Sequence, residues 1–142
     1  MKHKIYFALR MVMAFLFLWA FFDKLLGLGF ATTPEQAWIH GGSPTTGFLT
    51  FAVKGPFAGF FKSLADIAVV DWLFMGGLLF AGLTLLFNKY LRWGALAGGV
   101  MFILMYLALL PPENNPLIDE HIVYILALAL LAMRGSSSKI SA

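Results

Sequence analysis

A chain of 142 residues that is 61% hydrophobic and only 12% charged cannot wet its own outer surface, so lipid is its solvent and no soluble catalytic domain has room in it. Its net charge of +3 is the balance of ten basic and seven acidic residues, and the basic ones are scattered along the sequence, which excludes the clustered patch of a nucleic-acid binder. With no cysteine, disulfide relays, iron–sulfur ligation and thiol nucleophiles are excluded within the chain, and any redox role needs a bound cofactor, a quinone or a partner.

A membrane helix satisfies its backbone internally and covers roughly 30 Å of hydrocarbon, which takes about 20 mostly apolar residues. The first such run spans about residues 5–22, from Ile5 to Phe22, and stops at Asp23-Lys24 followed by Gly27 and Gly29. It carries Arg10 inside it, which either snorkels to the inner headgroups or pairs within the bundle. The basic start and Gly29-Phe30-Ala31 resemble a signal peptide and its processing site; with Met1 present, a retained anchor is expected.

A long outer loop, residues 23–71, follows, and its aromatic content argues against disorder. Thr33-Pro34-Glu35-Gln36 reads as a capped helix start, with Thr33 as N-cap and Gln36 returning a capping-box bond, leading into a short helix through Trp38 and His40. Ser43-Pro44 repeats the start signal ahead of Phe48, Leu49, Phe51 and Ala52. A third piece runs from Phe57 to Ala65 with Phe57, Phe60, Phe61 and Leu64 on one side. These pieces are expected to be short interfacial or re-entrant helices capping the bundle.

Three more runs complete the count: about 72–87, 93–110 and 118–133, ended by Asn88-Lys89, Pro111-Pro112 and Arg134-Gly135. The expected fold class is therefore all-α, a four-transmembrane-helix bundle forming one integral membrane domain over residues 1–142. Small residues four apart, Gly94 with Gly98, Ala95 with Gly99 and Gly77 with Ala81, predict close helix contacts, read as packing within the chain. Some homo-oligomerisation is also expected of so apolar an exterior.

Charge sets the orientation, because Lys and Arg are retained on the cytoplasmic side. With both termini cytoplasmic, Lys2, Lys4, Arg10, Lys89, Arg92, Arg134 and Lys139 lie inside, against Lys24, Lys54 and Lys62 outside, and all seven acids fall outside. That outer rim collects the reactive residues: Asp23 and Lys24, Asp71, Glu113-Asn114-Asn115, then Asp119, Glu120 and His121. Asp71 and Asp119 also suit helix N-termini, where a negative side chain complements the dipole. The sharper expectation is a polar pocket walled by Trp38 and Trp72.

Neither a metal nor a haem is expected. His3 is on the opposite side, His40 is in a loop, and His121 alone opens a span, so no ligand pair or spacing signature exists. P-loop, dinucleotide and serine-nucleophile motifs are absent as well.

The strings Trp19-Ala20-Phe21-Phe22-Asp23-Lys24, Gly27-Leu28-Gly29-Phe30-Ala31-Thr32, Gly41-Gly42-Ser43-Pro44-Thr45-Thr46-Gly47-Phe48-Leu49, Asp71-Trp72-Leu73-Phe74-Met75 and Leu110-Pro111-Pro112-Glu113-Asn114-Asn115-Pro116 resemble the DoxX family, in its DoxD-like branch. The resemblance runs from about Arg10 to Leu131, with a departure at Phe21, where relatives often carry a small residue. It implies a four-helix protein of a prokaryotic cell membrane, in some members the membrane subunit of a thiosulfate:quinone oxidoreductase and in others part of thiol and redox-stress complexes.

Two functions are therefore expected as alternatives. In the first, the chain moves electrons from a small sulfur anion on the outer side into a membrane quinone, with His121 and Asp119 as proton path and Asp23 and Lys24 at the reacting end. Lys24, with His40, attracts the anion, and Trp38, Trp72, Glu113, Asn114 and Arg10 hold the cofactor. In the second, it is a non-catalytic anchor or assembly subunit that docks another protein subunit through the outer loop.

Overall fold

The computed structural model describes the backbone of residues 1–140 and the side chains of residues 1–135, so the side chain of Lys139, assigned to the basic end above, lies outside the described residues. Every regular element among the described residues is helical. The first, α1 (Lys2–Leu26), is apolar throughout its middle and ends where Gly27 adopts a left-handed conformation and donates its N–H to the Asp23 carbonyl. Two single 3-10 turns, Pro34–Gln36 and Trp38–His40, and a π-helical turn, Phe48–Ala52, precede the short α2 (Ala58–Lys62). The long helices α3 (Ala68–Phe87), α4 (Leu91–Ala108) and α5 (Glu120–Ile140) complete the fold. Of these, α1, α3 and α4 are long and apolar enough to cross a membrane.

The helices run alternately up and down, with α1 packed on α3, α3 on α4 and α4 on α5, while a lighter α5–α1 contact closes the ring. Met13, Ala14 and Phe17 of α1 meet Met75, Leu78, Ala81 and Leu85 of α3, Leu91 and Ala95 of α4, and Leu128 and Leu131 of α5 in one core. Close approach depends on particular glycines. A Cβ on Gly94 would lie 1.7 Å from the Thr84 hydroxyl oxygen, and one on Gly98 2.6 Å from the Phe17 ring. Gly99, paired with Ala95 in the sequence, has nothing within 4 Å of such a Cβ, so it faces away from the bundle.

The two ends differ in chemistry. At the basic end Arg10, buried, donates from Nη1 to the carbonyls of Leu85 and Leu86, the last turn of α3, and the Tyr6 hydroxyl donates to the Leu131 carbonyl at 3.2 Å. At the other end lie the C-termini of α1 and α4, the N-termini of α3 and α5, and all seven carboxylates. The long loop is fastened there by a second small core of Leu49, Val53, Phe61 and Ala108, and by the Lys54 N–H donating to the Ala108 carbonyl at 2.9 Å. Gly55, at φ 78°, lies so close that a Cβ would sit 1.9 Å from the Leu110 carbonyl oxygen.

Four local expectations are corrected. Thr33 makes no side-chain cap and Pro34–Gln36 is one turn only, because Ala37 goes extended (φ −57°, ψ 140°) and is fully buried, which turns Trp38 toward the core. The segment from Phe48 is a π turn, and the helix expected over Phe57 to Ala65 is the five residues of α2. Finally, Gly135 does not stop α5. It lies against Leu91, where a Cβ would be 2.7 Å from Cδ1, so its missing side chain serves packing and the helix continues.

Candidate functional site

Three arrangements gather the polar residues of the acidic end, and each grows from a helix terminus. The first is at the end of α1. Asp23 is only 2% exposed, and its two oxygens accept from the backbone N–H groups of Phe30 (3.2 Å) and Ala31 (2.8 Å). Its carboxylate therefore holds the turn after α1 in place. The next residue, Lys24, points elsewhere: its Nζ lies 5.9 Å from the centre of the Phe74 ring and makes no hydrogen bond among the described residues.

The second arrangement is at the start of α3. Asp71 is buried, and its Oδ1 accepts from the hydroxyls of Ser43 (2.7 Å) and Thr45 (2.5 Å). Ser43 Oγ in turn accepts from the Thr46 N–H at 3.1 Å, and Thr46 Oγ1 accepts from the Asp66 N–H at 3.1 Å. A turn rich in hydroxyls is thereby strapped across the top of α3.

Between α3 and α4, beneath that strap, runs a groove of about 850 Å³ that opens on the outer surface of the bundle. Pro44, Thr45, Phe48 and Leu49 roof its acidic end, Phe74, Gly77 and Phe80 form one wall, and Leu96, Ala97, Val100 and Leu104 form the other. Lys24 is its one charged lining residue and Thr45 the one hydroxyl. An apolar slot with a small polar lip at one end is the shape and chemistry of a site for a long-tailed amphiphile.

The third arrangement is at the start of α5. Asp119 accepts from the His121 N–H at 3.0 Å in the manner of an N-cap, and its other oxygen lies 2.7 Å from His121 Nδ1. The imidazole is buried, with its ring 5.9 Å from that of Phe102. Asp119 also lines a second, more polar cavity of about 690 Å³ with Glu113, Asn114, Lys54 and Glu120. Neither Asp119 nor His121 lines the α3–α4 groove.

The structure thus divides the residues that sequence reasoning grouped into one pocket. Trp38 and Trp72 do meet, edge to face at 4.7 Å, but away from the groove walls. His40 is exposed and its Nδ1 pairs with the Pro34 carbonyl at 2.8 Å, within its own turn. Glu113 forms a largely exposed ion pair with Lys54 at 3.3 Å. Asn114 is exposed at the rim of the second cavity. Arg10 stands at the far end of α1, occupied with α3 carbonyls. Glu35 is a solvated loop acid, its carboxyl held below the usual range by its own backbone N–H and the Thr33 hydroxyl.

Sequence reasoning missed Ser43 and Thr45 as partners of Asp71, and the groove itself. The run Ser43-Pro44-Thr45-Thr46 carried the signal, three hydroxyls in four residues beside no other acid. Among the described residues no group of three His, Asp or Glu side chains is placed to hold a metal ion. Comparison of the chain with protein-family models, with curated proteins and with solved structures finds no match.

Proposed function

We propose that the chain is the four-span membrane subunit of a quinone-linked redox system, with both termini cytoplasmic and the acidic end outside. The observation that carries this reading is the α3–α4 groove. It is apolar over nearly its whole length, open toward lipid, and ends at an ammonium with no hydrogen-bond acceptor of its own. A quinone has the complementary shape, an apolar tail and a compact head whose carbonyl oxygens accept hydrogen bonds. Lys24 and Thr45 would hold the head, and Phe48 and Phe74 would flank it.

Other parts of the reading have separate support. The α5 helix counts as the fourth span because Ile122 to Met133 is uninterrupted apolar sequence packed along α4. The outward direction of the acidic end follows from the distribution of Lys and Arg. The DoxX resemblance supplies the electron donor class, a small sulfur anion such as thiosulfate. With no cysteine in the chain, electrons reach the quinone through a partner subunit or a bound group.

A second reading, an anchor that docks another subunit, is favoured by the apolar side chains of the long loop, where Phe30 is 75%, Phe51 88% and Phe60 60% exposed. The same residues suit interfacial placement in the outer leaflet. Purifying the chain with its native lipids, extracting bound quinone, and assaying thiosulfate-dependent quinone reduction separates the two. Quinone bound and displaced when Ala97→Trp fills the groove supports the first reading. A quinone-free preparation with one stoichiometric partner overturns it in favour of the second.

A further inference from the structure

The α3–α4 groove has a definite length. Its α4 wall begins at Ala108, the last residue of that helix, and continues to Trp93, the third. At a rise of about 1.5 Å per residue, that stretch is a slot of roughly 22 Å. Gly77 and Met101 close its floor midway, where a Cβ on Gly77 would stand 2.7 Å from Met101 Sδ. The slot is thereby kept on the outer surface of the bundle, separate from the core.

That length exceeds one leaflet. Half of a hydrocarbon core of about 30 Å is roughly 15 Å, the depth reached by the acyl chains of a phospholipid whose head lies at the outer surface. Counted along α4 from Ala108, a depth of about 15 Å falls at Gly98, so Ala97, Leu96 and Trp93 line the groove beyond it. Phe80 lines the groove at the same level, because Gly77 packs on Met101 and Thr84 on Gly94. An outer-leaflet acyl chain therefore covers only about two thirds of the slot.

In lipid, a tail gains nothing from the hydrophobic effect by entering an apolar slot, since both surroundings are hydrocarbon. Its gains are packing against the walls and the freedom returned to the lipid chains it displaces. A tail that ends in the outer leaflet leaves the inner stretch to be covered by inner-leaflet chains. A tail that crosses the midplane covers the whole slot and frees the chains of both leaflets. Resting on the reading of the groove as the quinone site, we infer that the site selects its quinone by tail length. It takes a polyprenyl tail long enough to pass the midplane, and Phe80, Trp93, Leu96 and Ala97 are the residues that distinguish it from a shorter one.

Binding to the purified full chain in phospholipid nanodiscs tests this, with native mass spectrometry reading the bound ligand. The probes are benzoquinones that share one ring and carry one, four or eight isoprene units, each compared at equal mole fraction in the bilayer. The one-unit tail stays in the outer leaflet and the four-unit tail passes the midplane. The four-unit form is expected to bind about tenfold more tightly than the one-unit form, and the eight-unit form no more tightly than the four-unit form. Ala97→Trp fills the slot near the midplane and is expected to remove the difference between one and four units. Leu104→Trp, about 6 Å from Ala108, blocks the slot near its lip and weakens both forms. Bromine at the end of the four-unit tail is expected to quench Trp93, identified as the signal lost in Trp93→Phe.

Equal affinities for one and four units in the wild type, or a difference retained in Ala97→Trp, overturn the inference while leaving the groove as the quinone site. Trp93 left unquenched by the brominated four-unit form does the same. Binding of none of the three forms overturns the quinone reading itself. The wild-type ratio needs no substitution, so the test stands even where Ala97→Trp fails to fold.

Discussion

Asp71, in the first turn of α3, and Asp119, the residue before α5, lie at helix N-termini on the same end of the bundle, yet they are used in opposite ways. Asp119 turns inward on its own helix, with one oxygen on the His121 N–H and the other on its ring, and the unit is closed. Asp71 reaches across to a loop and gathers the hydroxyls of Ser43 and Thr45, one of which lines the groove. The helix dipole favours both carboxylates and so does not account for their opposite uses. What distinguishes them is which neighbouring segment has unsatisfied donors and whether that segment borders a cavity.

Substitutions can break that contrast, beginning with the largest effect. Asp71→Ala strands two donors under the strap and is expected to destabilise the fold by about 3 kcal/mol. It should also loosen the groove roof, measured as a lower melting temperature in detergent together with weaker quinone binding. His121→Ala removes a buried ring and its bond to Asp119 and is expected to cost about 2 kcal/mol with quinone affinity unchanged. Loss of affinity in that variant would move the ligand to the α4–α5 side and erase the contrast.

Asp119→Asn keeps a side-chain oxygen for the His121 N–H, so a smaller loss of about 1 kcal/mol is expected from the weakened cap and imidazole bond. The mildest change is Lys54→Ala, which removes the exposed pair with Glu113 and is expected to shift stability by no more than about 0.5 kcal/mol. A larger effect would mean that the second cavity, which both residues line, is occupied.

Much of the helical layout was legible because lipid imposes it. Apolar runs flanked by Asp23-Lys24, Asn88-Lys89 and Pro111-Pro112 locate α1, α3 and α4 to within a few residues, since each run must satisfy its own backbone. Helix ends drifted where the signal had another use, as with Gly135, whose missing side chain accommodates Leu91. The candidate site was much less legible. The Asp71–Thr45 bond joins residues 26 positions apart, and it exists because the loop folds back under the hold of Val53, Phe61 and Ala108. Arg10 shows a further reason: its acceptors are backbone carbonyls, which leave no trace in the identity of Leu85 or Leu86.

The partnership of Arg10 with α3 also bears on how the chain enters a bilayer. Arg10 lies about two turns in from the basic end of α1, and the helix contains no carboxylate near it to offset the cost of bringing a guanidinium into lipid. Its acceptors arrive only with the last turn of α3, some 75 residues later in synthesis. Until α3 is present, that guanidinium can be satisfied only by headgroups or water, so α1 alone is a poorer span than the paired α1–α3 hairpin.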